Sequence, residues 1–398
     1  MSDYPQWRGP KRDGVAEEKN LLKSWPTSGP KLVWQSKMAG YGYGSPSVVG
    51  DRLYVIGNEG AADEFLQAID ARSGRPLWKV RLGAVGNPDQ QPNFPGARST
   101  PTVDGKSIYA LSSAGDLLCI DAPTGKSRWK KSLRKDFGGV PGAWAYAESP
   151  LIDGDKLIVT PGGPDATIVA LNKTMGEVIW KCKAADGERS AAYSSAVVTE
   201  LEGVRQYVQF LPKGLVGVDA KTGNVLWRFN GTIDLSYGMN AQTPIVEKGL
   251  VYSAAGNRGG TVRLTAAGAT QVWVQRNAPC ALGGTVLSEG YLYGTNQREL
   301  VCVELASGKT AWSNPCVGAA SLCLANGLLF LHGENGEVAL VDANPKGYTE
   351  RGRFTPSNRP ERLRGPMEKA WAYPVVADGR LYLRDVGTLW VYEIGTRS

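Results

Sequence analysis

Seven tryptophans recur along this chain of 398 residues: Trp34, Trp78, Trp129, Trp180, Trp227, Trp273 and Trp312. By subtraction of these numbers, the spacings run from 39 to 51 residues. Most close a shared phrase. Its clearest copies are Ala68-Ile69-Asp70 with Ser73-Gly74 and Trp78, Ile120-Asp121 with Thr124-Gly125 and Trp129, and Val218-Asp219 with Thr222-Gly223 and Trp227. A repeat of this length means an array of like supersecondary units, each unable to bury its own apolar face.

Each unit opens on a small-residue or Pro step and a short β run, as in Ser45-Pro46-Ser47-Val48, Thr100-Pro101-Thr102-Val103, Ser149-Pro150-Leu151-Ile152 and Thr243-Pro244-Ile245-Val246. Turns such as Gly50-Asp51, Asp104-Gly105 and Asp378-Gly379 follow, as tight hairpins require. A second strand comes next, then a third carrying the Asp phrase, then a fourth carrying Trp. There are eight opening strands. Phe354 stands where the seventh unit needs its aromatic, while Trp390 lies in a third strand and breaks the register. The last unit ends at Val391-Tyr392-Glu393-Ile394 without a fourth strand, and Leu32-Val33-Trp34 has no strands before it. The simplest closure is a ring in which strand 32–34 completes the last unit. That predicts an all-β fold, an eight-bladed β-propeller of four-stranded antiparallel blades with no exposed edge left by an open array. The domain expected is 31–398, with 1–30 an extended leader packed on the body through Trp7 and Trp25. The marker tryptophans then fill the gaps between neighbouring blades, which makes them structural.

Totals matter mainly for what they exclude. The 50 Gly and 24 Pro suit many short strands and turns. The net charge of +7 is spread over loops, or else attracts an acidic polymer, sugar acid or membrane surface. No Lys/Arg tract is long enough for a nucleic-acid arm, so no nucleic acid is expected. None of the six cysteines falls in a C-x-x-C pair, which removes zinc-ribbon, thioredoxin and haem-attachment readings. No apolar run reaches the roughly 18 residues of a membrane span, no signal peptide is visible, and a monomer is expected.

The Asp-x-x-Thr-Gly-x-x-x-Trp phrase resembles the docking repeat of the quinoprotein-like propellers. That superfamily includes pyrroloquinoline-quinone (PQQ) alcohol dehydrogenases and the BamB scaffolds of outer-membrane barrel assembly. The resemblance covers about residues 32–394. Trp7-Arg8-Gly9-Pro10 with Asp13-Gly14, and Ala147-Glu148-Ser149-Pro150-Leu151-Ile152-Asp153-Gly154, also resemble exported PQQ-like propellers of planctomycete-type bacteria. The resemblance implies a periplasmic or exported protein. Such a fold hosts many functions, so the site must decide.

Strand order places the links from strand four to the next strand one on the same face as the links from strand two to three. This variable face is where function is expected. Three inter-blade links stand out. Residues 79–98 hold Asn87-Pro88-Asp89-Gln90-Gln91 and Arg98, residues 130–148 hold Trp144, Tyr146 and Glu148, and residues 355–371 hold Arg359, Arg362, Arg364, Lys369 and Trp371. The residues before each innermost strand should ring the channel mouth: Tyr41, Tyr43, Arg98, Tyr146, Glu148, Tyr193, Asn240, Gln242, Trp371 and Tyr373. The links from strand two to three add Asn257, Arg258, Asn296 to Arg298, His332 to Asn335, Arg384 and Asp385. Stacking faces beside fixed hydrogen-bond partners suit a planar cofactor or a sugar.

Candidate ligand-binding residues are therefore Arg98, Glu148, Asn240, Gln242, Trp371 and Tyr373. Candidate catalytic residues are Glu148, Tyr146, Tyr193 and His332, the only histidine. The resemblance to PQQ dehydrogenases implies an Arg clamp on the quinone and Ca²⁺ on Glu, Asn and Asp, oxygen ligands suited to that hard cation. Arg98, Glu148 and Asn240 occupy matching openings, with Glu148 and Asn240 the candidate metal ligands. The next opening, Ala281-Leu282-Gly283-Gly284, supplies no Asp, and there is no adjacent Cys pair. No cofactor is assigned on this basis. The leading expectation is a binding or scaffold propeller taking a carbohydrate or protein ligand at the channel mouth; the alternative is a PQQ-type oxidoreductase, with Ca²⁺, or a carbohydrate-active enzyme at the same place.

Overall fold

Eight four-stranded antiparallel blades form from the eight repeats, and the sheet of blade seven gains a fifth, parallel strand from the leader. The computed structural model describes residues 2–89, 95–184, 190–233, 239–266, 268–280, 282, 284–362 and 365–396. Blade one runs Ser47–Val49, Arg52–Glu59, Asp63–Asp70 and Pro76–Ala84 from the channel outward. The eighth blade is built from Val375–Ala377, Arg380–Asp385 and Thr388–Glu393, and its outer strand is Lys31–Ser36 from the other end of the chain. Trp34 lies opposite Val391 there. The fold is thus the eight-bladed propeller expected, closed by the strand expected.

The repeat phrase has a physical reason at each residue. The Asp side chain caps its own turn: Asp219 Oδ1 accepts from the backbone N–H of Lys221 and Thr222 at 2.9 and 2.6 Å, an Asx-type turn. A β-bulge sits just before each marker tryptophan, for example between the pairs at Gly217 and Val218 opposite Trp227. The extra residue turns the ring toward the next blade. Its indole N–H then donates to a carbonyl of that blade: Trp34 to Ala71 at 3.0 Å, Trp78 to Ala122 at 3.1 Å, Trp180 to Ala220 at 3.2 Å and Trp273 to Leu305 at 2.8 Å. Trp227 is the exception. The next blade has Thr265-Ala266 in place of the Asp phrase, and the indole donates instead to Gln206 Oε1 at 2.6 Å within its own blade.

The turn glycine lies under the indole. At Gly223, φ is +78° and an added Cβ meets the Trp180 ring at 2.7 Å. At Gly105, φ is +57° and the space is open. Gly105→Ala is therefore expected to cost only the left-handed conformation, about 1–2 kcal/mol. Gly223→Ala adds overpacking of about 1–3 kcal/mol. Urea unfolding of the two variants measures the difference, and equal losses would remove the packing role of the turn.

Phe354 differs in register from the tryptophans. The bulge in blade seven places Gly352, not Phe354, at the marker position opposite Leu340. Trp25 of the leader fills the space this opens: a Cβ on Gly352 would meet Trp25 Cβ at 2.7 Å. Phe354 still wedges between blades seven and eight, 4.9 Å from the Tyr392 ring and beneath Gly29.

The small-residue step also has a role. Its hydroxyls join neighbouring inner strands: Thr100 Oγ1 donates to Ser45 O at 3.0 Å, Thr102 Oγ1 to Pro150 O at 2.6 Å, and Ser149 N to Ser195 Oγ at 2.9 Å. Small side chains leave the channel wide, and the leader fills it. Asp3 accepts from Gly50 N at 2.9 Å on the face opposite the variable one. Tyr4 bridges Val48. The chain then climbs to Trp7, whose indole donates to Thr243 Oγ1 at 2.7 Å, and returns as Val15–Ala16, parallel to Ala320–Ala325. Arg8 and Arg12 are buried at its summit. Arg12 donates to Ser149 O at 2.8 Å and Pro150 O at 3.0 Å. Gly14 has φ of +83°, and a Cβ there would strike both Arg8 and Val286 at 2.7 Å, so the turn requires glycine.

Among the described residues no helix is long and apolar enough to cross a membrane. All six cysteines are free thiols, five of them buried.

Candidate functional site

The leader closes the channel below and leaves a cup of about 500 Å³ at its mouth on the variable face. Trp7 forms part of its lining, beside Tyr373 at 4.6 Å between ring centroids and an interplanar angle of 64°. Two further aromatic pairs belong to the wall. Tyr43 lies 5.1 Å from Trp371, and Trp144 lies 5.8 Å from Tyr193. Tyr43, Trp144, Tyr193 and Trp371 all lie in the segments that lead into the inner strands of four different blades. Trp371 is held by its indole N–H, which donates to Glu334 Oε1 at 2.6 Å. Tyr193 is held by the backbone N–H of Trp144, which donates to its hydroxyl at 3.3 Å.

Polar groups are few and fixed. Arg98 lies 5.0 Å from the Tyr43 ring centroid and donates to Gly96 O at 2.8 Å; burial lowers the pKa of its guanidinium. Gln242 is 1% exposed; its Nε2 donates to Thr285 Oγ1 at 2.8 Å. Its Oε1 is buried with no hydrogen-bond partner among the described residues. Such an acceptor costs about 1–3 kcal/mol unless something donates to it.

The 355–371 link covers one side of the mouth and, besides Trp371, is held through Arg362 and Ser357. Arg362 makes two hydrogen bonds to the buried Asp385, at 2.6 and 2.8 Å. Trp390, the tryptophan outside the repeat register, donates to Ser357 O at 2.9 Å. Arg364, Gln90 and Gln91 lie outside the described residues.

Of the residues expected at the mouth, the structure brings Tyr43, Arg98, Tyr193, Gln242, Trp371 and Tyr373 into the cup. It places others elsewhere. Glu148 is 3% exposed, accepting from Thr160 N and, at 3.2 Å, from Gln209 Nε2. Asn240 is fully buried and donates to Leu211 O at 2.7 Å and Pro212 O at 3.1 Å. Tyr146 is buried, with its hydroxyl on Pro161 O at 2.9 Å. His332 ends a blade-seven strand, its Nδ1 3.2 Å from Ala372 O, and burial lowers its pKa. Gln297 and Glu334, expected from the links between strands two and three, are part of its wall, whereas the leader's Trp7 was not expected in the cup.

A quinone with Ca²⁺ does not fit these residues. Glu148 and Asn240 are turned into the blades and hydrogen-bonded there, and no cluster of three or more His, Cys, Asp or Glu with metal-holding geometry occurs among the described residues.

Burial raises the pKa of the Glu64 and Glu148 carboxyls. Glu64, in blade one, accepts from Ser113 N at 3.0 Å and from the Ser113 hydroxyl. Burial pushes its pKa up to about 7, against the hydrogen bonds and the charges of Arg98 and Arg384. Burial raises Glu148 likewise. A raised carboxyl favours folding fully below its unfolded value of about 4.5 and loses that contribution as pH climbs through about 7. Glu64→Gln is thus expected to gain on wild type between pH 4.5 and pH 8, by up to about 3 kcal/mol, as read by urea unfolding. A relative loss at pH 8 would mean that the ionised form is the one the fold favours.

The family model described as outer membrane protein assembly factor BamB matches residues 14–86, 62–314 and 258–347. BamB of Bordetella pertussis is 26% identical over 304 residues, covering 73% of this chain and 70% of that protein. Two other curated relatives match shorter stretches, with this chain spanning 41% and 44% of their length. Among solved structures, BamB from Moraxella catarrhalis superposes with a TM-score of 0.66 at 16% identity, over 92% of this chain and all of that one. Quinohemoprotein alcohol dehydrogenase from Comamonas testosteroni gives 0.68 at 14% identity, over all of this chain and 81% of that one. Those two likenesses are of fold.

Proposed function

This chain belongs to the PQQ-like propeller family described as outer membrane protein assembly factor BamB, and from that premise we propose that it is a binding propeller, not an enzyme. It seats a carbohydrate or protein ligand in the aromatic cup and works as a monomer in the cell envelope. One observation carries this reading. The candidate binding residues Arg98, Gln242, Trp371 and Tyr373 converge on one concavity beside Tyr193, while three of the four candidate catalytic residues, Glu148, Tyr146 and His332, are buried with structural partners. A mostly apolar concavity with a few fixed polar groups is how small-ligand sites are built. The envelope location rests on the relatives named as outer membrane assembly factors.

The test is a panel of soluble oligosaccharides and of peptides bearing aromatic residues, titrated with tryptophan fluorescence as the readout. Ligands found in this way are then offered to the Tyr193→Ala/Trp371→Ala variant and to Leu226→Ala on the outer rim. Binding should be lost in the first and kept in the second. A ligand indifferent to the cup substitutions sinks the reading.

A further inference from the structure

We infer that the cup continues into the groove between blades five and six, and that together they form one extended site for a neutral glycan chain. The inference rests on the cup reading above and goes on to name its ligand. The groove has a volume of about 460 Å³ and shares Cys280 and Gln297 with the cup, so the two are continuous. From there it runs outward past Asn257, Asn277 and Asn296 to Thr310 and Ser313 on the outer strand of blade six.

The chemistry of the two parts is complementary. The cup offers aromatic faces, which match the C–H faces of a sugar ring. The groove offers amides and hydroxyls, which both donate and accept as sugar hydroxyls do. Asn296 is positioned by its own turn: its Oδ1 accepts from the backbone N–H of Arg298 and Glu299, both at 2.9 Å. That fixes the side chain and leaves Nδ2 as the group to offer a ligand.

Two observations narrow the class. First, among the described residues each part holds one cation and one anion: Arg98 with Glu334 in the cup, Arg298 with Glu299 in the groove. Neither part carries the unbalanced positive charge that a phosphate or a uronic acid polymer needs. Second, Gln242 Oε1 is a buried acceptor in the cup without a partner among the described residues. A hydroxyl satisfies it; an apolar side chain leaves it unpaired.

The experiment is calorimetry with the full chain and neutral oligosaccharides of the cello, xylo, malto and N-acetylchito series, from disaccharide to hexasaccharide. At least one series should bind, with affinity rising about tenfold or more with length. Asn257→Ala/Asn296→Asp keeps the oxygen that caps the turn and alters the groove. It should abolish the gain with length and leave disaccharide affinity unchanged, with its melting temperature checked beside wild type. Trp371→Ala should weaken every member. Binding confined to acidic sugars, or a gain with length that survives the groove variant, overturns the inference. If no sugar binds but a peptide does, and Trp371→Ala removes it, the glycan inference falls and the cup reading stands. If nothing binds in a manner sensitive to Tyr193→Ala or Trp371→Ala, both fall.

Discussion

Deleting residues 2–26 is expected to destroy cooperative folding, although the deletion removes none of the 32 strands that make up the eight blades. The leader buries Tyr4, Leu21 and Trp25, each contributing about 1.5–3 kcal/mol. Their sum approaches the roughly 5–15 kcal/mol by which a typical domain is stable at all. Its backbone is also hydrogen-bonded into the ring: Tyr4 with Val48, Pro5 O with Val103 N at 2.8 Å, Gly14 O with Leu324 N at 2.8 Å and Leu22 N with Ile394 O at 2.8 Å. Without it, small inner-strand residues face an open channel and Gly352 faces a void.

A milder change isolates one element of this. Arg12→Ala strips the Ser149 carbonyl of its donor and leaves Pro150 O with Thr102 alone, a loss of about 1–3 kcal/mol, offset in part because a charge no longer has to be buried. Burial already brings the pKa of Arg12 down to about 9. Calorimetric melting should rank wild type above Arg12→Ala and Arg12→Ala above the truncated chain. A truncated chain that melts like wild type would reduce the leader to decoration.

The second large effect lies at the other end of the channel. Tyr193→Ala/Trp371→Ala should weaken ligand capture about a hundredfold or more, since central aromatic anchors cost about 2 kcal/mol or more each when truncated. The same variant should melt within a few degrees of wild type. Both rings line the cup, and neither belongs to the clusters that hold the blades together. Loss of function without loss of stability separates an anchor from a core residue. Trp180→Ala is the converse case: it should lower the melting temperature and leave the cup's affinity nearly unchanged, because Trp180 is a buried peg between blades three and four.

Much of this was legible in the residues. The Asp-x-x-Thr-Gly-x-x-x-Trp phrase marks a strand, a turn and a peg at fixed offsets, so blade number and closure followed from counting. Phe354 shows the limit of counting. An aromatic at nearly the right spacing takes the same role from a register two residues away, and Trp25 fills the gap from elsewhere in the chain.

The cup was half legible for a similar reason. Residues before an inner strand reach the mouth, but successive side chains of an extended segment point opposite ways. Ala147 lines the cup and its neighbour Glu148 is buried among Thr160 and Gln209; Met239 and Ala241 line it and Asn240 between them turns inward. A shift of one residue reverses such an assignment, and the loop sequences carry no period to fix it. The path of the leader was not legible at all. Its partners include single backbone groups of blades one, two, six, seven and eight and a side chain of blade five, contacts that leave no pattern in residues 1–30.

The central claim is that ligand sits in the aromatic cup above Trp7. Fluorine NMR of protein carrying 5-fluorotryptophan tests it most directly, with each resonance assigned by single Trp→Phe substitutions. On titration with the tightest binder of the oligosaccharide and peptide panel, the resonances of Trp7, Trp144 and Trp371 should move together and saturate at one affinity. Those of Trp78, Trp180 and Trp227, pegs far out along the blades, should stay. Shifts confined to the pegs, with the three cup tryptophans unmoved at saturation, would contradict the account.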